Sequence, residues 1–313
     1  MRLAAPFLTR RAALMGAAAL PAATALPGLV LAAGHGPAAA PAPLHNAFFV
    51  GDFKVSTLLA GTRTVEEPQG TFGMNVSPDE FAAVSAANFI PTDKSQFFFT
   101  PTVVNTGSEV VLFDTGLNAP GITAALAAAG YGPEDITLVV ITHMHGDHIG
   151  GLMNEGTPTF ANARYVTGRT EFDHWSGADN DGFKANVAPL ADKMTFLGDD
   201  EEVLPGITSV DAFGHTPGHM TYHLESGSDR LLLIADTANH YVWSLAYPEW
   251  EVRFDADKAA AAAARKKILG MVAADRIPLV GYHMPFPGMG FVETRGEGGF
   301  HYVPVSYQMM LRG

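Results

Sequence analysis

Cysteine is missing from all 313 residues of the chain. Without thiols the protein has neither disulfides nor thiolate metal ligands, so any bound metal must be held by nitrogen and oxygen atoms. Basic residues are also few, 19 against 32 acidic residues, and the formal net charge is −13. A chain this acidic repels a polyphosphate backbone, which argues against nucleic acid as a substrate or partner.

Long hydrophobic runs are confined to the N-terminus. Residues 1–33 place Arg10 and Arg11 before an alanine-rich run that is interrupted by Pro21 and Pro27 and ends in small residues. This layout predicts a secretory signal, and the adjacent arginines resemble the twin-arginine type. A membrane anchor is the alternative, but prolines and alanines make a poor spanning helix. We therefore expect a periplasmic or secreted protein with no stable membrane association after removal of the signal.

The remainder of the chain predicts a linker and one large domain. Residues 34–45 are rich in Ala, Pro and Gly and indicate a flexible linker. Residues 46–313 alternate apolar, β-branched runs with helical segments in both halves, which predicts sheets that pack together and are covered by helices. A long helix is expected in 255–275, with Asp255 or Asp257 as its N-cap.

One stretch, THMHGDHIG (142–150), concentrates ligand-type side chains. It contains His143, His145, Asp147 and His148 within six consecutive positions. A regular strand would turn His148 away from the other three, and a helix would scatter all four, so the stretch must form an irregular loop or a helix entry, which Gly146 permits. The set predicts a metal site; a polar loop with histidines bonded to backbone is the alternative.

Further ligand candidates follow other apolar runs. GHTPGH (214–219) contains His215, LLLIADTANH (231–240) contains Asp236, and LVGYHMPFPG contains His283. Since strands hold positions rigidly while their loops supply chemistry, we expect these side chains to meet at one edge of a sheet core.

This pattern resembles the metallo-β-lactamase superfamily of hydrolases over roughly residues 48–305. GDFKVSTL, VVNTGSEVVLFDTG, ITHMHGDHIGGLM, GHTPGHMTYHLES and HMPFPGMG are most similar to the methyl parathion hydrolase group, which is related to the dinuclear acyl-homoserine lactonases. The resemblance implies an α/β (α+β) fold, an αββα sandwich of two mixed sheets flanked by helices. It also implies two divalent metal ions at one edge, with zinc favoured over manganese, cobalt or iron.

The resemblance further implies the ligand set and the chemistry. His143, His145 and His215 would bind the first metal, Asp147, His148 and His283 the second, and Asp236 would bridge the two. Two such ions share a water and lower its pKa, which gives a hydroxide nucleophile at neutral pH. Asp147 and Asp236 are the catalytic candidates, and Asp147 would carry a proton from the nucleophile to the leaving group.

Three residues outside the ligand set are assigned supporting roles. Asp114 of FDTG is the candidate acceptor for the second nitrogen of a ligand histidine, with a simple turn residue as the alternative. Trp175 and Phe183 lie in a polar, Gly-rich insertion, HWSGADNDGF, where a core role is harder to supply. We expect these two aromatics to line an apolar substrate pocket above the metals.

The substrate class is an ester-like bond in a small molecule: a lactone, a carboxylic ester or a phosphotriester. Many acyl-homoserine lactonases carry a Tyr three positions after the bridging Asp, where this chain has Asn239, with Tyr241 as a possible substitute. A β-lactam hydrolase, a mononuclear iron oxidative relative and a non-catalytic binding protein are the alternatives. A homodimer is also left open, because related hydrolases often pair.

Two other catalytic patterns carry no weight. DTG at 114–116 matches an aspartic protease signature, but no second DTG exists to share the proton. No GxSxG elbow supports a serine triad.

Overall fold

The computed structural model describes residues 45–310, apart from the side chains of Glu297 and Met310. The predicted signal and all but the last residue of the predicted linker lie outside this range, so both stay predictions. The first strand begins at His45, one residue before the expected start of the domain. Within 45–310, no helix combines the length and apolar character needed to cross a membrane.

Residues 45–310 form eighteen strands. They are β1 (His45–Val50), β2 (Phe53–Leu58), β3 (Gly61–Glu66), β4 (Lys94–Phe99), β5 (Thr102–Asn105), β6 (Val110–Phe113), β7 (Leu138–Ile141), β8 (Met153–Asn154), β9 (Thr157–Pro158), β10 (Arg164–Gly168), β11 (Met194–Leu197), β12 (Glu202–Leu204), β13 (Ile207–Asp211), β14 (Met220–Ser226), β15 (Asp229–Ala235), β16 (Leu279–Gly281), β17 (Met289–Arg295) and β18 (Gly299–Pro304).

The same part of the chain forms six α-helices: α1 (Pro78–Ala87), α2 (Ala119–Ala129), α3 (Gly146–Ile149), α4 (Arg169–Ser176), α5 (Asp181–Asn186) and α6 (Lys258–Asp275). Short 3₁₀ helices lie at Pro68–Gly70, Pro133–Asp135, Ala188–Lys193, Gly296–Gly298 and Gln308–Met310.

The strands form two seven-stranded mixed sheets. The first has the order β1-β2-β5-β6-β7-β10-β11 and the second the order β12-β13-β14-β15-β16-β17-β18. The pairs β6·β7, β7·β10, β10·β11 and β15·β16 are parallel, and the remaining neighbours are antiparallel. A two-stranded ribbon, β3·β4, stands apart from both sheets.

Central strands bury both faces, as their continuous apolar sequences require. In β7, Leu138 and Val140 contribute to the core between the two sheets, whereas Val139 and Ile141 pack in a second cluster with Leu126 of α2. On the second sheet, alternate residues of β15 pack with residues of α6 in a third cluster. Helices therefore cover the outer face of each sheet, and the predicted αββα sandwich is confirmed.

Local signals explain where two of the helices begin and end. Asn118 caps α2 by accepting the N–H of Gly121 at 2.9 Å, and Gly130 ends it with φ of 88°, a left-handed conformation that glycine adopts without strain. Helix α6 is capped by Asp257, whose Oδ1 accepts the N–H of Ala260 at 2.9 Å. Asp255, the other expected cap, binds His215 instead.

Candidate metal centre

The predicted ligand residues follow strands that end at one edge of the sandwich. His143 lies two residues beyond Ile141, the last residue of β7, and Asp236 follows β15 directly. His283 lies two residues beyond β16, and His215 lies in the loop between β13 and β14. His145 is the extended N-cap of the one-turn helix α3 and therefore joins an irregular loop to a helix entry, as expected.

The first group contains three histidines. The Nε2 of His143 lies 3.1 Å from the Nδ1 of His145, which lies 3.0 Å from the Nε2 of His215. His143 and His215 are buried, and His145 is half-buried. These three nitrogens are close enough together to bind a single cation.

The second group contains two histidines and two carboxylates. The Nε2 of His283 lies 3.2 Å from Asp147 Oδ2 and 3.1 Å from Asp236 Oδ2, and the Nε2 of His148 lies 3.2 Å from Asp236 Oδ1. Asp236 Oδ2 also lies 3.3 Å from the Nε2 of His215 in the first group. One carboxylate therefore touches histidines of both groups.

Two ligand atoms in this centre, His148 Nε2 and Asp236 Oδ1, are buried and form no hydrogen bond with any residue of 45–310. Buried polar atoms are normally satisfied, and an exception calls for an explanation such as an ion. Because the donors are imidazole nitrogens and carboxylate oxygens, and no thiolate is available, the set fits zinc or another divalent first-row metal.

The opposite nitrogens of the candidate ligand histidines are held by hydrogen bonds. Asp114 Oδ2 accepts from the Nδ1 of His148 at 2.8 Å, and the carboxylate of Asp114 is itself held by the N–H and hydroxyl of Thr142, at 2.9 and 2.8 Å. The structure thus places Asp114 in the accepting position anticipated from the sequence. Since Nδ1 carries the proton, Nε2 of a neutral His148 presents its lone pair to the site.

Two further groups that bind the outer nitrogen of a ligand histidine were not predicted from the sequence. Asp255 Oδ1 accepts from the Nδ1 of His215 at 2.9 Å, and its other oxygen pairs with the buried guanidinium of Arg265. The backbone carbonyl of Phe98, on β4, accepts from the Nδ1 of His283 at 2.8 Å. A backbone acceptor such as the Phe98 carbonyl has no sequence pattern that predicts it. Asp255 precedes a helix, so the sequence indicated an N-cap and not a contact with His215.

A third missed residue, Glu171 of α4, is fully buried between the two ligand loops. Its Oε1 accepts the N–H of Met144 at 2.9 Å and the indole N–H of Trp175 at 2.6 Å. Its Oε2 accepts the hydroxyl of Thr216 at 2.7 Å and the N–H of Gly218 at 2.9 Å. Four donors thus compensate the buried carboxylate, and two of them flank ligand histidines.

Asp236 is held by its backbone and by one side-chain amide. Its N–H donates to the Nε2 of His219 at 3.1 Å, and Asn239 Nδ2 donates to its Oδ2 at 2.8 Å. The preceding residue, Ala235, has φ of 44°, an unfavourable conformation for a residue with a Cβ. The surrounding structure therefore imposes a local strain that turns the chain at the candidate bridging residue.

The pKa values of the candidate ligand histidines shift in opposite directions in the two groups. Burial lowers the pKa of His143 well below its ordinary value and that of His145 to about 3, which keeps both rings neutral. Burial also disfavours charge on His283, but the Asp236 and Asp147 carboxylates outweigh it and raise the pKa of His283 to about 10. The carboxylates therefore create a field that favours positive charge.

A cavity of about 510 Å³ opens onto these ligands. His145, Asp147, Asp236 and His283 form its polar floor. Its apolar walls are built by Val65, Phe97, Phe99, Leu117 and Phe254, and two arginines, Arg63 and Arg253, complete its lining together with Thr71 and Gly146. An organic molecule of modest size with an apolar part fits such a cavity.

The two aromatics expected in the pocket lie elsewhere. Phe183 is buried in the core outside the first sheet, where its ring lies 5.5 Å from that of Phe172, because α5 is capped by Asn180 and directs Phe183 inward. Trp175 lies 6.0 Å from the ring of His145 and is tied to Glu171, but it does not line the cavity. The walls come instead from the β3·β4 ribbon and from Phe254 and Leu117.

Two other residues near the motifs, Tyr241 and His240, pack against neighbouring rings and do not line the cavity of about 510 Å³. Tyr241 stacks on His240 with ring centroids 4.7 Å apart and lines a separate cavity of about 260 Å³, so it does not take the place of a lactonase tyrosine at Asn239. The ring of His240 packs against those of Phe72 and Trp243, and its Nδ1 accepts the backbone N–H groups of Val242 and Trp243, both at 3.1 Å.

Residues 100–280 match the metallo-beta-lactamase superfamily. The match covers more than half of the chain, and the protein belongs to this superfamily, as its motifs predicted. An N-acyl homoserine lactonase of Bacillus cereus is 29% identical over 119 residues, which are 38% of this chain and 45% of the relative. The chain therefore spans less than half the length of that curated relative.

Solved structures share the fold over most of the chain. AidC, a dizinc quorum-quenching lactonase in complex with a product N-hexnoyl-L-homoserine, superposes with a TM-score of 0.78 at 24% identity, over 85% of this chain and 99% of AidC. AbOPH, a hydrolase in the beta lactamase superfamily, gives 0.77 at 23% identity, over 84% and 98% of the two chains.

Proposed function

We propose that this protein is a metal-dependent hydrolase that opens an ester-like bond of a small molecule. The observation that carries the proposal is the position of Asp236, whose carboxylate oxygens lie within 3.3 Å of His148, His215 and His283 at the floor of a partly apolar cavity. One carboxylate shared between two histidine groups is suited to two cations, and zinc is the favoured metal.

In this proposal the ligand assignments follow the two groups. His143, His145 and His215 hold one cation, Asp147, His148 and His283 hold the other, and Asp236 contributes to both. When bound, two divalent cations polarise a carbonyl or phosphoryl oxygen and make a hydroxide nucleophile available near neutral pH. Hydrogen bonds to Asp114, Asp255 and the carbonyl of Phe98 orient the rings of His148, His215 and His283 so that their Nε2 lone pairs face the centre.

Asp147 is the candidate proton carrier. Its side chain is 23% exposed, whereas that of Asp236 is only 4% exposed, and both line the cavity. The backbone carbonyl of Asp147 accepts the hydroxyl of Tyr282 at 2.5 Å, which holds the helix turn in place. Oδ2 of Asp147 is therefore positioned to take a proton from the nucleophile and deliver it to the departing oxygen.

The relatives support a lactone as one member of the substrate class, since both the Bacillus cereus enzyme and AidC are lactonases by name. Asn239 departs from the lactonase pattern: its amide donates to Asp236, and it does not line the cavity. A lactone, an aryl ester and a phosphotriester therefore belong in the same test. Export through the N-terminal signal and pairing into a homodimer are further proposals.

The test is elemental analysis of the purified protein, followed by assays of a lactone, an aryl ester, a phosphotriester and a β-lactam before and after chelation. We expect about two zinc-like ions per chain and chelator-sensitive hydrolysis, with the ranking across the panel identifying the substrate. One iron per chain without hydrolysis would favour an oxidative reaction and overturn the proposal.

A further inference from the structure

Two arginines, Arg63 and Arg253, line the same cavity as the candidate metal ligands. Arg164, Arg230 and Arg265 each pair with an acidic side chain. Arg63 and Arg253, by contrast, have no ion pair within 4.0 Å to any residue in the described range 45–310. Both residues are exposed and both line the cavity, so their guanidinium groups are free to meet a bound molecule.

The β3·β4 ribbon connects Arg63 to the candidate ligand His283 through Phe97 and Phe98. It is directly paired with Phe97, so both side chains project from the same face of the ribbon. The ring of Phe97 lies 5.3 Å from that of His283 in an edge-to-face contact, and Phe98 next to it accepts the His283 hydrogen bond. The position of Arg63 relative to the floor of the cavity is therefore set by rigid strand pairing.

Arg253 is connected to the first histidine group through Asp255, two residues later in the chain. Its backbone N–H donates to the carbonyl of Thr71 at 2.8 Å. Two residues later Asp255 binds His215, and between them Phe254 lies 6.3 Å from the Phe97 ring, edge to face. Both arginines thus belong to segments whose neighbouring residues contact candidate metal ligands.

Each guanidinium offers five N–H donors in a planar fork, a geometry that matches the two oxygens of a carboxylate. Among residues 45–310, the acids that line the cavity are Asp147 and Asp236, and both are occupied by histidines of the floor. The net charge of −13 repels anions from the surface as a whole, so local cations are needed to bind one.

We propose that Arg63 and Arg253 bind a carboxylate carried by the substrate, at the end remote from the scissile bond. This inference rests on the proposed hydrolase function and narrows its substrate class to an ester or lactone with an apolar middle and an anionic end. The apolar middle contacts Phe97, Phe99 and Phe254, while the reacting carbonyl lies over the metal ligands.

The test uses two matched esters: p-nitrophenyl hexanoate, and the mono-p-nitrophenyl ester of adipic acid, which has the same chain length and leaving group but ends in a carboxylate. The zinc-loaded protein is expected to prefer the adipate ester at least tenfold in kcat/KM. In the Arg63→Gln/Arg253→Gln variant this ratio falls at least tenfold, mainly through KM. Arg276→Gln, which removes one positive charge at an exposed position outside the lining of this cavity, leaves the ratio unchanged.

A binding measurement separates failure of the anion site from failure of the hydrolase. Calorimetry compares 4-phenylbutyrate with its neutral amide, 4-phenylbutanamide, on the wild-type protein and the double variant. Anion preference that is lost in the double variant supports the site even if neither ester is cleaved, which would overturn only the hydrolase. Cleavage of both esters with a ratio near one in every variant would overturn the anion site and leave the hydrolase standing.

Discussion

The carboxylate of Glu171 accepts the backbone N–H of Met144 at 2.9 Å, at the residue that separates His143 from His145. Its second oxygen binds Thr216 and Gly218, which follow His215. One buried side chain thus joins the two loops that supply the first histidine group, and the spacing between those loops depends on it.

Replacement of Glu171 by Gln should weaken metal binding. The amide keeps the volume of the side chain but turns an N–H₂ toward groups that are themselves donors, which leaves buried N–H or O–H groups unsatisfied. Residues that orient metal ligands typically change metal affinity by about 10–100-fold when mutated, and we expect a loss in that range. Competition with a chromogenic zinc chelator measures it.

Glu293→Gln, at an exposed position on β17, is the matched control and should keep wild-type affinity. Equal affinity in the two variants would show that the loops hold their spacing without Glu171.

Removal of the Asp255 charge should destabilise the fold. Asp255→Asn leaves the buried Arg265 without its carboxylate, and breaking a buried ion pair from one side costs about 3–5 kcal/mol. Asp257→Asn, two residues later, is the control because Asn caps a helix as well as Asp does, and the change should lie within about 0.5 kcal/mol of zero. Urea unfolding of both variants provides the comparison, and similar midpoints would contradict the buried-pair argument.

A methyl group at Gly218 should disturb the site, whereas one at Gly270 should not. A Cβ at Gly218 would lie 2.1 Å from the backbone nitrogen of Glu171, so the α4 segment or the loop around His215 must shift. Gly218→Ala is therefore expected to lower zinc affinity and the melting temperature together. Gly270 in α6 has nothing within 4 Å of its Cβ position, and Gly270→Ala should raise stability by about 0.5–1 kcal/mol. A Gly218→Ala protein with unchanged zinc affinity would show that the loop accommodates the methyl group.

Loss of one ligand should change the metal count by one. His283→Ala removes a donor from the second group alone, so elemental analysis should give about one ion per chain in place of the two that we propose for the wild type. The thermal stabilisation by added zinc should fall as well, since a bound ligand stabilises by about 2.7 kcal/mol at 100 times its Kd. His301→Ala, at an exposed position on β18, should retain both ions. A His283→Ala protein that keeps the full count would remove His283 from the ligand set.

Much of the fold was predictable because its signals are local. Continuous apolar runs such as 138–141 predict strands buried on both faces, and Gly130 and Asp257 mark helix ends through their own backbone or side-chain chemistry. Ligand residues that follow such strands were predictable for the same reason, since strand ends at one edge bring them together.

The errors and omissions have a common physical origin. Phe183 was expected in the pocket because its sequence neighbours are polar, yet packing against Phe172 decides its burial. Contacts of Glu171 with Met144 and of Asp255 with His215 join residues 27 and 40 positions apart, and the sequence near each acid contains no sign of them.

Hydrophobic periodicity and residue chemistry act over short distances, and the amino-acid sequence therefore predicts the layered α/β architecture, the nitrogen and oxygen character of the candidate ligands, and their placement after strands. The groups that hold each histidine ring, the aromatics that form the cavity, and the presence of Arg63 and Arg253 in its lining depend on the tertiary structure. Those features arise where segments distant in the chain meet, and there the packing of the two sheets and their loops sets every distance.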